Sequence, residues 1–318
     1  MGTLAERLVH VINFRYHLIS LMAVFLSLTL GIVLGVTVVD KAVVDNLDSR
    51  INAVSRQKQE TDVENLGLRD ANKREAKALE DLSFIAVRGH LLDENVAVVA
   101  MRGVDAATVE STIRLLQAAG ADAPAVIWLE PKWALTEDSE KAELRRLLGA
   151  NVNDDQLASK GLEMLAERLA DPATTNRDDD VIVALDDAGF VSVDAKGDGG
   201  RADLEGFPRG GTVLAFVGLG LSIEDIAATA RFTKTLSDAL GRSDLNVVVA
   251  ERDADIAAFP ERGGALKLVR QSTTVSSVDS LDLPQGQIAA VLAAEAIANG
   301  VVGHFGYGPG ASSAMPEQ

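Results

Sequence analysis

From Leu18 to Val39 the chain reads LISLMAVFLSLTLGIVLGVTVV, without one charged residue. As a helix rising about 1.5 Å per residue it would reach ~33 Å, enough to cross a bilayer core of roughly 30 Å. No comparable run recurs in the 318 residues. A cleavable signal has a shorter apolar core and ends in small residues, and VTVVDKAVV offers no such end. The run is therefore expected to stay as a signal anchor over 18–39. Arg7 and Arg15 outweigh Glu6 before it, whereas Asp40, Asp45 and Asp48 surround Lys41 after it. Basic flanks stay in the cytoplasm, so residues 1–17 are expected inside and everything past the run outside the cell membrane. Of the net charge of −17, the outward part carries −18, because residues 1–17 sum to +1.

Within the run, Gly31 and Gly35 form a GxxxG step, a spacing that lets two helices approach closely in lipid. Behind the run, Val44–Leu82 fits one heptad frame. Val44, Ile51 and Leu79 fall at a, and Leu47, Val54, Leu68 and Leu82 at d, while Lys58, Thr61, Asn65, Asn72 and Glu75 make the middle of the seam polar. A long helix with so narrow an apolar stripe is marginal alone in water. Residues 40–86 are expected to form a coiled-coil stalk, either solvated or seated against its own copy or another protein's helix.

Past Leu82 the texture changes. NVAVVAM (Asn95–Met101), AVIWLE (Ala125–Glu130), DVIVALDD (Asp180–Asp187), TVLAFVG (Thr212–Gly218) and NVVVAE (Asn246–Glu251) read as buried strands, with FVSVD (Phe190–Asp194) pairing with the third or opening a hairpin. Helices are expected between them, near Ala106–Leu116, Ser139–Leu148, Asp155–Ala170, Ile223–Leu240 and Gly286–Asn299. Continuous apolar strands separated by amphipathic helices indicate a mainly parallel α/β sandwich of the Rossmann or flavodoxin-like kind, over residues 87–302. Lys196–Gly211 reads as a loop, and 303–318 as a flexible glycine-rich tail.

Chemistry is harder to find. Without cysteine there is no disulfide, thiolate ligand or cysteine nucleophile. The acidic outward part argues against nucleic acid. GxSxG, HExxH and Walker motifs are absent, and no residue stands out as catalytic, so a non-enzymatic protein without a cofactor is expected. Gly218-Leu-Gly220 lacks the third glycine of a dinucleotide fingerprint, since Ile223 occupies its place, and reads as a tight turn. His10, His17, His90 and His304 lie far apart, the methionines do not cluster, and a metal ligand set cannot be assigned. Asp178-Asp179-Asp180 and Asp186-Asp187 offer oxygens for a hard cation, although such runs are more often solvated loop ends. Of the two tryptophans, Trp128 reads as core, and Trp133, at a strand end, is a candidate partner surface.

The chain resembles the actinobacterial family of mycobacterial copper transport protein B. The resemblance lies in FRYHLISLMAVFLSLTLGIVLG (Phe14–Gly35), the heptad helix behind it and the closing GHFGYGPGASSAMP (Gly303–Pro316), and it covers nearly the full length. It implies an envelope protein tied to copper efflux or tolerance, sometimes described as an outer-membrane channel, with copper as the one metal in view. Related members are linked to septal cell-wall remodelling with a companion membrane protein. It carries over no metal-ligand motif. One helical crossing encloses no pore unless several copies assemble. The expectation is an anchored interaction protein in copper homeostasis, and the alternative is a septal scaffold that regulates a peptidoglycan hydrolase or other coiled-coil partner.

Overall fold

The computed structural model describes residues 4–149, 152–171, 180–195, 210–218, 226–252 and 264–317, with side chains set aside at 4–13, 36–42, 195 and 226–227. It divides into two units, Met1–Lys73 and Arg74–Gln318.

The first unit lies within a single helix, α1 (Leu4–Ala86). Among the described residues it holds the one segment, Phe14–Gly35, long and apolar enough to cross a membrane. Inside lipid a backbone has no water to bond, and a helix satisfies every peptide group internally. Ser27 and Thr29 also turn their hydroxyls back to the carbonyls of Val24 and Phe25 at 2.9 and 2.7 Å. The heptad residues are helical as expected, and this one copy leaves Val44, Leu47, Ile51, Val54, Leu68, Leu79 and Leu82 exposed.

In the second unit the chain builds β1 (Val96–Met101), α2 (Ala106–Ala118), β2 (Ala125–Leu129), a 3-10 turn (Pro131–Ala134), α3 (Asp138–Leu148), α4 (Asp154–Ala170), α5 (Val181–Asp187) and β3 (Val191–Ala195). It continues with β4 (Thr212–Val217), α6 (Ile226–Arg242), β5 (Asn246–Glu251), two short 3-10 turns (Ala265–Lys267 and Val269–Gln271), β6 (Ser276–Val278), α7 (Pro284–Ala298) and β7 (His304–Phe305). The strands form one seven-stranded sheet in the order β3-β2-β1-β4-β5-β6-β7. All neighbours are parallel except β3, which runs antiparallel to β2 at the edge. Every residue of β1, β2 and β4 is buried, because helices cover the sheet and leave no wet face to favour alternation. Helix α7 packs on β4, β5 and β6 and adjoins α2, while α4 adjoins α3, α5 and α6.

Three expectations are corrected. Asp180–Asp187 is a capped helix, not a strand. The Asp180 carboxylate accepts from the Ile182 amide at 2.8 Å and from the Arg168 guanidinium at 2.7 and 2.9 Å, all buried. Gly189, at φ +72, closes the helix in the left-handed region that glycine adopts freely. Ile182 and Leu185, three apart, are the buried pair, so the period is helical. Strand β3 accordingly pairs with β2.

Trp133 is core, not a partner surface. The 3-10 turn carries its indole inward until 1% is exposed, edge-on to Phe190 at 5.3 Å and near Phe232 at 6.3 Å. Gly161 of α4 makes the room, since a Cβ there would lie 2.8 Å from the indole Cζ3. Trp128 is buried as expected.

Residues 303–317 are built into the domain and are not a loose tail. β7 completes the sheet, with Ser277 opposite His304 and Val278 opposite Phe305, while Met315 packs on the core. Of the loop expected over Lys196–Gly211, residues 196–209 lie outside the described residues, as does most of the Gly218–Gly220 turn.

Trp133→Ala should lower unfolding free energy by about 3–5 kcal/mol, the cost of removing a fully buried large side chain. Denaturant unfolding of the full chain in detergent, followed by near-ultraviolet circular dichroism, measures it.

Candidate functional site

The carboxyl edge of a doubly wound sheet is where such folds place ligands, above all where the strand order reverses. Here the reversal lies between β1 and β4. Asp105 sits at that point as the N-cap of α2, accepting from the Thr108 amide at 3.0 Å and hydroxyl at 2.8 Å. Those two hydrogen bonds hold its carboxyl below the usual carboxylate range. A phosphate at this helix end would meet an anion already in place, so the described residues do not suit a pyrophosphate.

Along the same edge toward β2 and β3, Arg102 follows β1 and donates from Nε and Nη2 to Glu130 Oε1 at 3.1 and 2.7 Å. Ser192 Oγ joins them, donating to Glu130 Oε1 at 2.7 Å, and the guanidinium lies 4.6 Å above the Trp128 ring. Burial opposes the charge on Glu130, but Arg102 and Ser192 outweigh it and hold the carboxyl low. At the end of β5, Glu251 is buried and accepts from the amides of Ala265 and Leu266 at 2.7 and 3.2 Å. These groups tie loops to strands.

The densest cluster follows β6. Asp279, fully buried, accepts from Arg270 Nη2, from Ser280 Oγ at 2.7 Å, and from the amides of Tyr307 and Gly308 at 2.8 and 2.7 Å. Arg270, also buried, reaches on to the carbonyls of Pro309 at 2.7 Å and Phe305 at 3.2 Å. One ion pair thus clasps the glycine-rich segment from both sides. Gly306 is obligatory there, at φ +118 with a Cβ that would sit 2.1 Å from Asp279 Oδ1. Burial alone would raise the Asp279 carboxyl; Arg270 and the other donors overcome it and lower the pKa below its ordinary value.

His304 anchors β7. Its Nε2 donates to the Ser272 carbonyl at 3.1 Å, which leaves Nδ1 to accept from Ser277 Oγ at 3.0 Å. Burial, with the nearby Arg270 charge, pushes its pKa down, against the Ser272 carbonyl, which favours the charged form. Ser277 is itself fully buried, so this Ser–His contact joins two strands and presents no nucleophile. His90 bonds Glu295 Oε2 at 2.8 Å, and Met101 is buried beside the Thr233 hydroxyl. The structure gives each of these three residues a different partner. Among the described residues no group of three or more His, Cys, Asp or Glu could hold a metal ion. Asp180 is engaged by Arg168, while Asp178 and Asp179 lie outside the described residues.

Sequence reasoning passed over Arg270 and Asp279. Nine residues apart, one in the second 3-10 turn and the other just past β6, they meet only when the chain turns from the one into the other. The available signal was the density of glycine and small residues in Gly303–Ala314.

A membrane-length helix bearing a doubly wound α/β domain, whose C-terminal segment is clasped by a buried ion pair, defines a helix-anchored α/β class of protein. The chain belongs to the family described as copper transport outer membrane protein, MctB, whose model matches residues 11–316. That match takes in both the Phe14–Gly35 helix and the clasped segment. It is similar to proteins described as copper transporter MctB in Mycobacterium tuberculosis and Mycobacterium bovis. Each is 27% identical over 338 aligned positions, covering 96% of this chain and 100% of the relative.

Two outcomes follow from the clasp. Asp279→Asn leaves the buried Arg270 uncompensated and should cost about 3–5 kcal/mol, releasing 303–317, as faster amide exchange at Tyr307 and Gly308 would report. Because folding lowers the Asp279 pKa, its stabilisation is complete above the unfolded value of about 3.9 and is lost as pH falls through the folded one. Amide exchange at these two positions should therefore hold steady from neutral pH down to about 4, after correction for the intrinsic rate, and accelerate only below it.

Proposed function

We propose that this chain is a single-pass cell-membrane protein, residues 1–17 in the cytoplasm and the α/β domain outside, which serves copper homeostasis as an anchored, non-enzymatic interaction protein. The observation that carries this is the joining, in one helix, of a membrane-length segment and an exposed heptad seam. The copper role rests on the relatives' description as copper transporters. The basic residues before the anchor and the acidic ones after it support the orientation. One helical crossing provides no conduit by itself, because a lone helix encloses no water-filled path. The copper-ligand types are sparse and separated, which favours action through a partner over direct handling.

The exposed seam also favours a second reading, a septal scaffold that regulates a peptidoglycan hydrolase or another coiled-coil partner during cell separation. The triple variant Leu47→Glu, Ile51→Glu, Val54→Glu separates the two. It is expected to reach the membrane in normal amount and to fail to restore copper tolerance to cells lacking the native gene. Full restoration of copper tolerance would remove the copper reading through this seam. Chained, unseparated cells that tolerate copper normally would move the assignment to the septum.

A further inference from the structure

We infer that the occupant of the α1 seam from Val44 to Leu68 is a second copy of this chain, parallel and in register, as a two-stranded coiled coil. This deepens the anchored-interaction reading and rests on it.

The first ground is the choice of apolar residues. Val44 and Ile51 at a, with Leu47 at d, follow the rule that β-branched a residues and leucine d residues favour two parallel strands. In one copy Val44, Leu47, Ile51 and Val54 stand 52%, 52%, 59% and 64% exposed, and a facing copy would cover them. The second ground is direction. Phe14–Gly35 and the seam belong to one helix, so two copies inserted alike in one bilayer present parallel seams at equal height. Gly31 and Gly35 allow those helices to approach below the seam, with no side chain within 4 Å of a Cβ at either position.

The polar middle of the seam supplies register. At a, Asn65 meets Asn65 of the other copy only when the two helices are parallel and unshifted, and a buried asparagine without such a partner is costly. Asn72 repeats the arrangement one heptad on. Charge agrees. Glu64 at g lies across a parallel seam from Arg69 at the following e of the other helix, and two-fold symmetry makes that contact twice. Five residues apart on one helix, Glu64 and Arg69 do not share a face, so within one copy they are not natural partners. Lys58 and Thr61 weaken the centre. Confinement of both anchors to one membrane raises the effective concentration and offsets that weakness.

Because the chain has no cysteine, one introduced thiol reports the geometry directly. In full-length protein in native membranes, mild diamide oxidation of Val54→Cys, at d, should give a covalent dimer of twice the chain mass. Arg56→Cys, at the outward f position, should give about tenfold less. Glu64→Arg added to Val54→Cys should lower dimer yield about tenfold, and further exchange of Arg69→Glu should restore it. Monomer alone at Val54→Cys, equal yields at d and f, or no restoration by the double exchange would each overturn the proposal. An adduct of a different mass would also overturn it. If the seam triple variant above still abolishes copper tolerance in that case, the anchored-interaction reading survives and only the second copy falls; if it does not, both fall.

Discussion

A peptide group inside a bilayer has no water to bond, and a segment of membrane length such as Phe14–Gly35 meets that constraint only as a helix. Nothing between Leu4 and Ala86 breaks that helix, so the same ladder of hydrogen bonds continues past the apolar segment. Proline is absent from that whole stretch, and Gly67 is the only glycine beyond Gly35. The helix's heptad residues, among them Val44, Leu47, Ile51 and Val54, stay exposed, whereas the α/β domain covers its own sheet with helices.

Among the described residues of that domain, buried charges sit in a few places, each joining separate segments. Arg168 and Asp180 tie α4 to the cap of α5, and Glu251 holds the 3-10 turn after β5. Arg270 and Asp279 bind the last residues of the chain to the carboxyl edge of β6. A buried pair contributes little net stability because desolvation opposes attraction, but breaking one half is severe. Such pairs therefore specify geometry more than they add free energy. The family match runs from residue 11 to residue 316 and so spans both the membrane-length helix and the clasped segment.

Much of the architecture was legible from local pattern. The buried strands β1, β2, β4 and β5 announce themselves as continuous apolar runs, and Asp138–Leu148 and Asp154–Ala170 as amphipathic helices. Asp180–Asp187 reads as a strand because so short an apolar run suits either period; the cap Asp180 and the closing Gly189 carry the answer, and they outrank β-branched content. Trp133 reads as a candidate partner surface because a strand-end tryptophan faces outward or inward according to what lies opposite. Gly161, remote in sequence, decided that. The tail read as mobile because glycine normally signals freedom, whereas here Gly306 lets backbone approach a buried carboxylate.

The sequence alone determined the membrane-length apolar segment, the helix behind it and the class of the domain, because these rest on composition, on continuous apolar runs and on the 3.6-residue period that neighbours in sequence set among themselves; the family resemblance rested on the particular residues of Phe14–Gly35 and Gly303–Pro316. Only the tertiary structure decided the inward indole of Trp133, the antiparallel edge strand and the clasp of Arg270 and Asp279 on the C-terminal segment. Each depends on groups distant in sequence meeting in a low-dielectric interior, where an unpaired charge or an empty volume costs kilocalories, and no local periodicity records which distant group will fill it.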